Sequence, residues 1–423
     1  MVTATRQGLP RGTAGTPAEA LMERFARTTE AVYAADELRQ RLAEGRPLRI
    51  KYGVDVTAPY LHLGHAVNLW MMRQLQDLGH KVQFLIGDFT TRIGDPTGRD
   101  TRRPLIPEAE IAANAEAFIA QARMVLRFDD PQLIEVRRNS EWYAGMTAAE
   151  LMQRLALMTH ARLISRDMFQ DRLRAGADIG LDELIYPILQ GYDSVALQSD
   201  LTIIGTDQLF NEMLGRFYQE RFGQRPQVII TTKITPGIDG KAKQSKSLGN
   251  YIGLGHSPRD KFGRTMRLPD HLIPEYFTVY TEVPLAQIAE LETRLATDPM
   301  GCKLELARAI VERYHGAQVA EREREWWLRA FSTRRAPEDI PELPIDLSAP
   351  PAPDAAGAPT ALALLRRLFG AQKSNAELRR LLQQGAVTQN GTAITRPEQV
   401  LELADGDVFR IGKRTWFRIR LHR

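Results

Sequence analysis

Residues 51–65 read KYGVDVTAPYLHLGH, and this stretch decides how the rest of the chain is interpreted. The apolar residues from Leu48 to Val56 predict a buried strand, and Pro59 predicts a turn after it. The residues from Ala66 to Leu75 predict a helix, with Gly79 as its C-cap. Because a helix start offers unpaired N–H groups and the positive end of its dipole, this strand–turn–helix unit predicts a phosphate site.

Two histidines and a glycine stand at this turn, at His62, Gly64 and His65. A glycine lets the backbone come close to a ligand, and imidazole groups can donate hydrogen bonds to a phosphate in the transition state. Taken alone, the pattern is explained more simply by histidines that only cap the helix.

A lysine-rich loop with the sequence KQSKS, residues 243–247, follows the apolar stretch 228–232 that is predicted as the last buried strand. Together, and in this order, the HLGH turn and the KQSKS loop resemble the class I aminoacyl-tRNA synthetases. The resemblance implies that Lys243 and Lys246 hold the pyrophosphate groups of ATP, with Arg99 and Arg103 as weaker basic candidates.

Predicted strands alternate with predicted helices after the first strand, at residues 81–86, 133–136, 201–204 and 228–232. This alternation predicts an α/β fold with a doubly wound parallel sheet, a Rossmann-like catalytic domain over residues 35–250. An N-terminal arm and a helix that extends to about Tyr33 occupy residues 1–34.

Three more segments follow the predicted catalytic domain. Residues 251–336 have helical periodicity and predict an α-helical domain, which the resemblance identifies with the anticodon-arm domain. Seven prolines lie between residues 337 and 359, so 337–357 is predicted to be an extended linker. Residues 358–423 predict a small α+β module, with an amphipathic helix, an Asn-Gly hairpin turn and short strands.

Composition narrows the class of protein. The chain has 423 residues, of which 43% are hydrophobic, so it can form two or three globular domains. Its single cysteine, Cys302, excludes an internal disulfide and a cysteine-rich zinc site, and favours the cytoplasm. No apolar run has the ~20 residues that span a bilayer. Residues 358–423 carry 12 Lys and Arg against 5 Asp and Glu, which predicts a polyanionic partner for the tail.

Residues 186–193, with the sequence YPILQGYD, place Tyr186, Gln190 and Asp193 on one face of a predicted helix. A solvated face with polar residues at chance spacing is the simpler explanation. However, this pattern and the GTDQ sequence at 205–208 resemble the tyrosyl-tRNA synthetases of the bacterial type.

The resemblance to that family implies a role for each matching position. For tyrosine it implies ammonium contacts from Tyr186, Gln190 and Asp95, a phenol contact from Asp193, and pocket positions at Asp55, Thr90 and Gln208. For ATP and the transition state it implies Gly53, Thr57, His62, Gly64, His65, Asp207, Lys243 and Lys246.

Three positions depart from the family pattern. Lys51 stands where many members have a tyrosine that contacts the phenol hydroxyl, and Tyr52 stands where they have a small residue near the ribose. Gln244 replaces the usual methionine of the lysine-rich loop. None of these departures removes a charge that the mechanism needs.

The basic tail resembles a small RNA-binding module that is shared with a ribosomal small-subunit protein and pseudouridine synthases. Taken together, the resemblance of the catalytic motifs and that of the tail imply a tyrosine–tRNA ligase that uses ATP, with Mg²⁺ bound to the nucleotide and no metal held by the protein. It also implies tRNA as a partner, no membrane, and a homodimer formed by the segment inserted between the sheet halves, within roughly 140–200.

Two other functions remain open from the sequence. A tryptophanyl-tRNA synthetase would share the fold and the reaction, but Asp193 and the basic tail argue against it. A non-catalytic RNA-binding protein would need only the tail, but the intact HLGH, KQSKS and GTDQ sequences argue against a decayed catalytic site.

Overall fold

The computed structural model describes residues 17–97, 106–245, 248–332, 340–346, 360–369, 373–412 and 415–422. The chain divides into two compact units, Met1–Ala320 and Glu321–Arg423. The helices that follow the lysine-rich loop belong to the first unit, so the boundary predicted at residue 250 does not separate compact units. Among the described helices, none has the length and apolar character needed to cross a membrane.

The sheet of the first unit has six strands in the order β1-β6-β5-β2-β3-β4. These strands are β1 (Thr29–Tyr33), β2 (Arg49–Val54), β3 (Lys81–Ile86), β4 (Ile134–Arg138), β5 (Leu201–Gly205) and β6 (Val228–Thr232). Five of them, β2 to β6, pair in parallel, which confirms the predicted doubly wound sheet. Because the chain moves outward in opposite directions from β2 and from β5, their carboxyl ends open a crevice where ligands bind in such folds.

The N-terminal segment differs from its prediction as a helix up to about Tyr33. Helix α1 (Pro17–Ala26) ends early, and β1 then pairs antiparallel with β6 at the edge of the sheet. Ala31 and Val32 are buried there. The prediction was wrong because the free edge of β6 offers backbone partners to a Thr-, Val- and Tyr-containing stretch, and such pairing is not visible in local helix propensity.

Helices cover both faces of this sheet and continue beyond it in the first unit. They are α2 (Ala35–Ala43), α3 (Leu63–Gln76), α4 (Glu108–Ala122), α5 (Ser140–Tyr143), α6 (Ala148–Leu155), α7 (His160–Ile164), α8 (Asp167–Arg174), α9 (Leu181–Leu197), α10 (Leu209–Arg221), α11 (Pro258–Thr265), α12 (Ile273–Tyr280), α13 (Leu285–Leu295) and α14 (Pro299–His315). Short 3₁₀ turns lie at Thr90–Arg92, Thr206–Gln208 and Asp270–Leu272.

One continuous apolar core joins the sheet to the helices that follow the lysine-rich loop. It contains strand residues such as Ile50 and Phe84 together with Tyr276 and Ile310 from the later helices. This shared core explains why residues 258–315 do not form a compact unit of their own.

The second unit contains a five-stranded sheet in the order β7-β11-β10-β8-β9. Its elements are α15 (Ala317–Trp327, which begins in the first unit), a π-helical turn (Leu328–Ser332), β7 (Glu342–Asp346), α16 (Ala361–Phe369), α17 (Asn375–Gln383), β8 (Val387–Gln389), β9 (Thr392–Ile394), β10 (Val408–Ile411) and β11 (Thr415–His422). Asn390 and Gly391, both at positive φ, form the turn between β8 and β9, as their sequence predicts.

Part of the predicted linker is structured. Residues 342–346 form β7, which pairs in parallel with β11 and so extends the sheet of the second unit. Residues 337–339 and 347–357 of the predicted linker lie outside the described residues.

Candidate active site

A cavity of about 380 Å³ opens at the carboxyl ends of β2 and β5. Nearly all of the residues that the sequence assigned to a site line it: Gly53, Asp55, Thr57, His62, Gly64, His65, Thr90, Asp95, Tyr186, Gln190, Asp193, Asp207, Gln208 and Lys243. Lys246, Arg99 and Arg103 lie outside the described residues. The topology brings these distant stretches together because parallel strands end at the same edge of the sheet.

Successive side chains of β2 lie on opposite faces of the sheet, and one of these faces lines the cavity. Lys51 and Asp55 contact α9 and α10, whereas Tyr52 packs on the opposite face against Phe84, with ring centroids 5.6 Å apart. Gly53 lies between the two polar residues, and a Cβ there would have only the Leu85 side chain within 4 Å, at 3.7 Å. The missing side chain therefore leaves room for a ligand between Asp55 and Lys51.

Asp55 collects hydrogen bonds from two elements. The Tyr186 hydroxyl donates to Asp55 Oδ2 over 3.0 Å, and the Thr90 hydroxyl donates to Asp55 Oδ1 over 2.8 Å. Burial, with the Asp55 and Asp95 carboxylates nearby, raises the pKa of Tyr186 well above its ordinary value, so the hydroxyl keeps its proton.

Asp95 is oriented by a second set of donors. Its Oδ2 accepts a 2.7 Å hydrogen bond from Gln208 Nε2, and its Oδ1 accepts from the backbone N–H and the hydroxyl of Thr97. Arg166 Nη2 donates to that hydroxyl over 3.1 Å. Together with Asp55, this carboxylate makes the upper part of the cavity suited to an ammonium group.

Asp193 is a single carboxylate at the other end of this polar face. It is 4% exposed, and Trp142 Nε1 donates to its Oδ1 over 3.0 Å. The Asn139 side-chain amide lies 3.5 Å from Oδ2. Burial raises the pKa of Asp193 to about 7, while the Lys51 ammonium and the neighbouring donors act in the opposite direction.

The two histidines form a reciprocal cap at the start of α3. His62 Nδ1 accepts from the backbone N–H of Gly64, and His65 Nδ1 accepts from the backbone N–H of His62, each over 3.2 Å. Since Nδ1 is an acceptor in both rings, each neutral imidazole carries its proton on Nε2. The histidines therefore cap the helix and also present N–H donors, so the capping explanation and the phosphate explanation are compatible.

The lysine-rich loop is tied to the cavity and to the later helices. Lys243 Nζ lies 2.9 Å from Asp207 Oδ2. Gln244 is 7% exposed, and its Nε2 donates to the Tyr280 hydroxyl over 2.7 Å. Downstream of the lysines, Ile252 accepts a backbone hydrogen bond of 2.9 Å from Leu63, at the histidine turn. Glutamine in place of the usual methionine thus gives the loop a polar anchor.

Within the described residues, no group of three or more His, Cys, Asp or Glu side chains is arranged to hold a metal ion. The cavity instead offers several carboxylates, together with imidazole donors at the histidine turn and the ammonium group of Lys243. This arrangement suits a ligand with an ammonium group together with a second ligand that carries phosphates.

Comparison with known proteins identifies the family. The family model described as class I tRNA synthetases (W and Y) matches residues 43–332. A tyrosine–tRNA ligase of Moorella thermoacetica is 44% identical over 387 residues, which are 90% of each chain. One of Ralstonia nicotianae is 43% identical over 410 residues, which are 95% of this chain and all of that protein. The chain belongs to the class I tyrosyl-tRNA synthetases.

Solved tyrosyl-tRNA synthetases have the same fold. A C-terminally truncated mitochondrial tyrosyl-tRNA synthetase of Coccidioides posadasii superposes with a TM-score of 0.58 at 25% identity, over 72% of this chain and 90% of that one. A tyrosyl-tRNA synthetase of Archaeoglobus fulgidus superposes with a TM-score of 0.54 at 20% identity, over 72% of this chain and 99% of that one, which speaks for the fold alone. The predicted family, fold and enzyme class are confirmed.

Several residues around the synthetase cavity were not predicted from the sequence. Glu212 lines the cavity and pairs with Lys51. Its position could have been found, because Gln208, Asn211 and Glu212 fall at i, i+3 and i+4 on one helix face. Trp142, which donates to Asp193, belongs to a four-residue helix with no pattern that marks it.

Proposed function

We propose that the cavity binds L-tyrosine and ATP and joins them, and that the chain then transfers tyrosine to tRNA(Tyr). The tyrosine carboxylate attacks the α-phosphate of ATP, which gives tyrosyl-adenylate and releases pyrophosphate. The terminal adenosine of the tRNA then takes the tyrosyl group, and AMP leaves. The observation that carries this proposal is one cavity with ammonium acceptors, a buried phenol acceptor and phosphate donors, in a chain similar to tyrosine–tRNA ligases.

The ammonium group of tyrosine is assigned to the acceptors at the upper end of the cavity. Asp55 and Asp95 supply negative charge, and the Tyr186 hydroxyl and Gln190 complete the polar wall. Thr90 orients Asp55, and Gln208 orients Asp95, so both carboxylates are preorganised. Gln208 has further amide capacity to border the substrate carboxylate.

The phenol group is assigned to Asp193. This buried carboxylate accepts a hydrogen bond from the hydroxyl of tyrosine, whereas phenylalanine would leave the acceptor unpaired. A site built to hydrogen-bond a substrate hydroxyl rejects the analogue that lacks it by a factor of about 10⁴–10⁵, and tyrosyl-tRNA synthetase is itself the known example from which that range comes. The hydrogen bond to Asp193 therefore favours tyrosine over phenylalanine.

ATP is assigned to the histidine turn and the lysine-rich loop. Gly53 and Gly64 allow close approach of the backbone, Asp207 is placed for the ribose, and Thr57 lies beside the turn. His62 and His65 donate through Nε2 to charge that develops on the phosphates. Lys243, and Lys246 by its motif position, neutralise the pyrophosphate, to which Mg²⁺ is bound as part of the substrate.

Transfer RNA is assigned to the second unit. Its helices α16 and α17 expose pairs of arginines, Arg366 and Arg367 on the first and Arg379 and Arg380 on the second. Clusters of exposed arginine suit a phosphate backbone. With tRNA as its substrate and one buried cysteine, Cys302, the synthetase is proposed to act in the cytoplasm.

A homodimer is proposed through the segment at residues 140–200. An apolar groove of about 240 Å³ lies there, lined by residues that include Phe89, Tyr143, Met146 and Leu189. Met152 is 62% exposed and Leu181 is 77% exposed on the same segment. Large exposed apolar side chains beside a groove are typical of an interface between subunits. The test is sedimentation of the wild type and of Leu181→Glu, which should shift the mass towards the monomer.

Tyrosine-dependent exchange of pyrophosphate into ATP tests the proposed reaction. We expect exchange with tyrosine and background signal with phenylalanine and tryptophan. Exchange with tryptophan instead would keep the mechanism but overturn the assignment of Asp193. If no amino acid supported exchange, the proposed activation chemistry would be refuted, and binding of tRNA alone would remain to be tested.

A further inference from the structure

The deep end of the cavity contains a lysine inside the sheet. Lys51 is 2% exposed, yet its Nζ lies 2.7 Å from Glu212 Oε2 and donates to the Ser194 hydroxyl over 2.7 Å. Taking an ammonium group out of water is costly unless it gains strong partners, so its position in a ligand cavity calls for a function.

Glu212 is held in place independently of the lysine. Gln190 Nε2 donates to its Oε1 over 2.8 Å, and Gln227 Nε2 donates to its Oε2 over 2.7 Å. Gln190 is oriented in turn by Asn211, whose amide donates to Gln190 Oε1 over 2.8 Å. The lysine is therefore anchored to a preorganised carboxylate, and its ammonium cannot turn away from the deep end without losing that partner.

The Lys51 ammonium thus lies in the same cavity as two buried carboxylates. Glu212 and Asp193, which are 2% and 4% exposed, line the cavity together with Lys51. Around Asp193, residues 139–143 present Asn139, Trp142 and Tyr143, while Tyr186 on its own helix and Asp55 on the β2 side also face this region. Of the groups with the largest influence on the Asp193 pKa, Lys51 carries a positive charge, and it opposes the effect of burial.

We propose that Lys51 is a positioning residue for amino-acid specificity: anchored by Glu212, its ammonium favours the ionised form of Asp193, the form that accepts the phenol hydrogen bond of tyrosine. The proposal rests on the assignment of Asp193 to the phenol group. It gives the departure at residue 51 a function, because a cation takes over a place where many relatives have a tyrosine.

Changing either member of the Lys51–Glu212 pair should move the Asp193 pKa in a predictable direction. Lys51→Met removes the cation from two carboxylates, so Asp193 holds its proton to higher pH. Glu212→Gln removes the competing anion and leaves the ammonium to Asp193 alone, so Asp193 loses its proton at lower pH. Opposite shifts follow from the charge count, and a purely structural ion pair would not produce them.

The experiment is the pH dependence of kcat/KM for tyrosine in pyrophosphate exchange, at saturating ATP, for the wild type and both full-length variants. The acid limb of this profile reports the protonation of the unliganded enzyme. We expect the limb to move up by at least about one pH unit in Lys51→Met and down by at least about half a unit in Glu212→Gln. The KM for ATP should stay within about twofold in both variants, because the nucleotide end is unchanged.

Folding of each variant is checked by circular dichroism and thermal unfolding. If Lys51→Met does not fold, Glu212→Gln decides alone, since its partners Gln190 and Gln227 can rotate their amides to pair with the new amide. An acid limb that stays within about 0.2 units in a folded variant, or that moves in the same direction in both, overturns the proposal. Exchange by the wild type tests the proposed reaction separately, so the two failures are distinguishable.

Discussion

His65 offers the sharpest test of how the histidine turn works, because its ring has two separable tasks. Nδ1 accepts from the backbone N–H of His62 over 3.2 Å and closes the cap of α3, while Nε2 carries the proton that we assign to the transition state. His65→Ala removes both. His65→Asn keeps an acceptor near the Nδ1 position, and His65→Gln keeps a donor near the Nε2 position.

The free energies lost with the two interactions differ in size. Loss of a helix cap costs about 1 kcal/mol of unfolding free energy. Loss of one donor to charge that develops in the transition state costs about 2.7–4 kcal/mol, or 10²–10³ in rate. His65→Ala should therefore form tyrosyl-adenylate about 10²–10³ times more slowly in a single turnover, and unfold about 1 kcal/mol more easily in urea. Tyrosine affinity should change less than about twofold, because the ammonium and phenol positions are untouched.

Rapid-quench measurement of adenylate formation, equilibrium binding of tyrosine and urea unfolding separate these effects. We expect His65→Asn to recover stability but not rate, and His65→Gln to recover part of the rate but not the cap. Equal losses of rate and of tyrosine affinity in His65→Ala would refute the assignment to the transition state. Full activity of His65→Asn would reduce the role of this residue to capping.

Three further changes test other parts of the site. Lys243→Ala removes an exposed ion pair with Asp207, so unfolding free energy should change by less than about 1 kcal/mol while adenylate formation slows about 10- to 100-fold in rapid-quench assays. Arg172→Met leaves the buried Glu183 without its two guanidinium contacts and should cost about 3–5 kcal/mol of unfolding free energy, measured in urea. The double variant Arg172→Met/Glu183→Gln should recover most of this loss. Burial raises the Asp193 pKa to about 7 in the folded protein, so the unfolded chain loses this proton at a lower pH than the folded protein does. The folded protein therefore loses stability as the pH rises from about 4 to 7. Asp193→Asn should therefore gain unfolding free energy relative to the wild type at pH 8 but not at pH 4, and an equal difference at both pH values would contradict the raised pKa.

The sequence by itself determined the parts of the protein whose signals are local. The HLGH turn, the KQSKS loop and the YPILQGYD face each lie within one strand end, loop or helix, so their residue types and spacing already predict their chemistry. The alternation of strands and helices predicted the parallel sheet, since each buried strand and each helix has its own period. All the predicted site residues in the described ranges line one cavity.

Only the tertiary structure decided which distant side chains interact and which strands pair with each other. Residues 29–33 became a strand because β6 had an unpaired edge, and residues 342–346 became a strand because β11 had one. Lys51 meets Glu212 only because the fold brings β2 and α10 to the same cavity, and Trp142 reaches Asp193 from a separate short helix. Local propensity and period describe a residue's own element, whereas pairing and burial depend on what the fold brings to its other side.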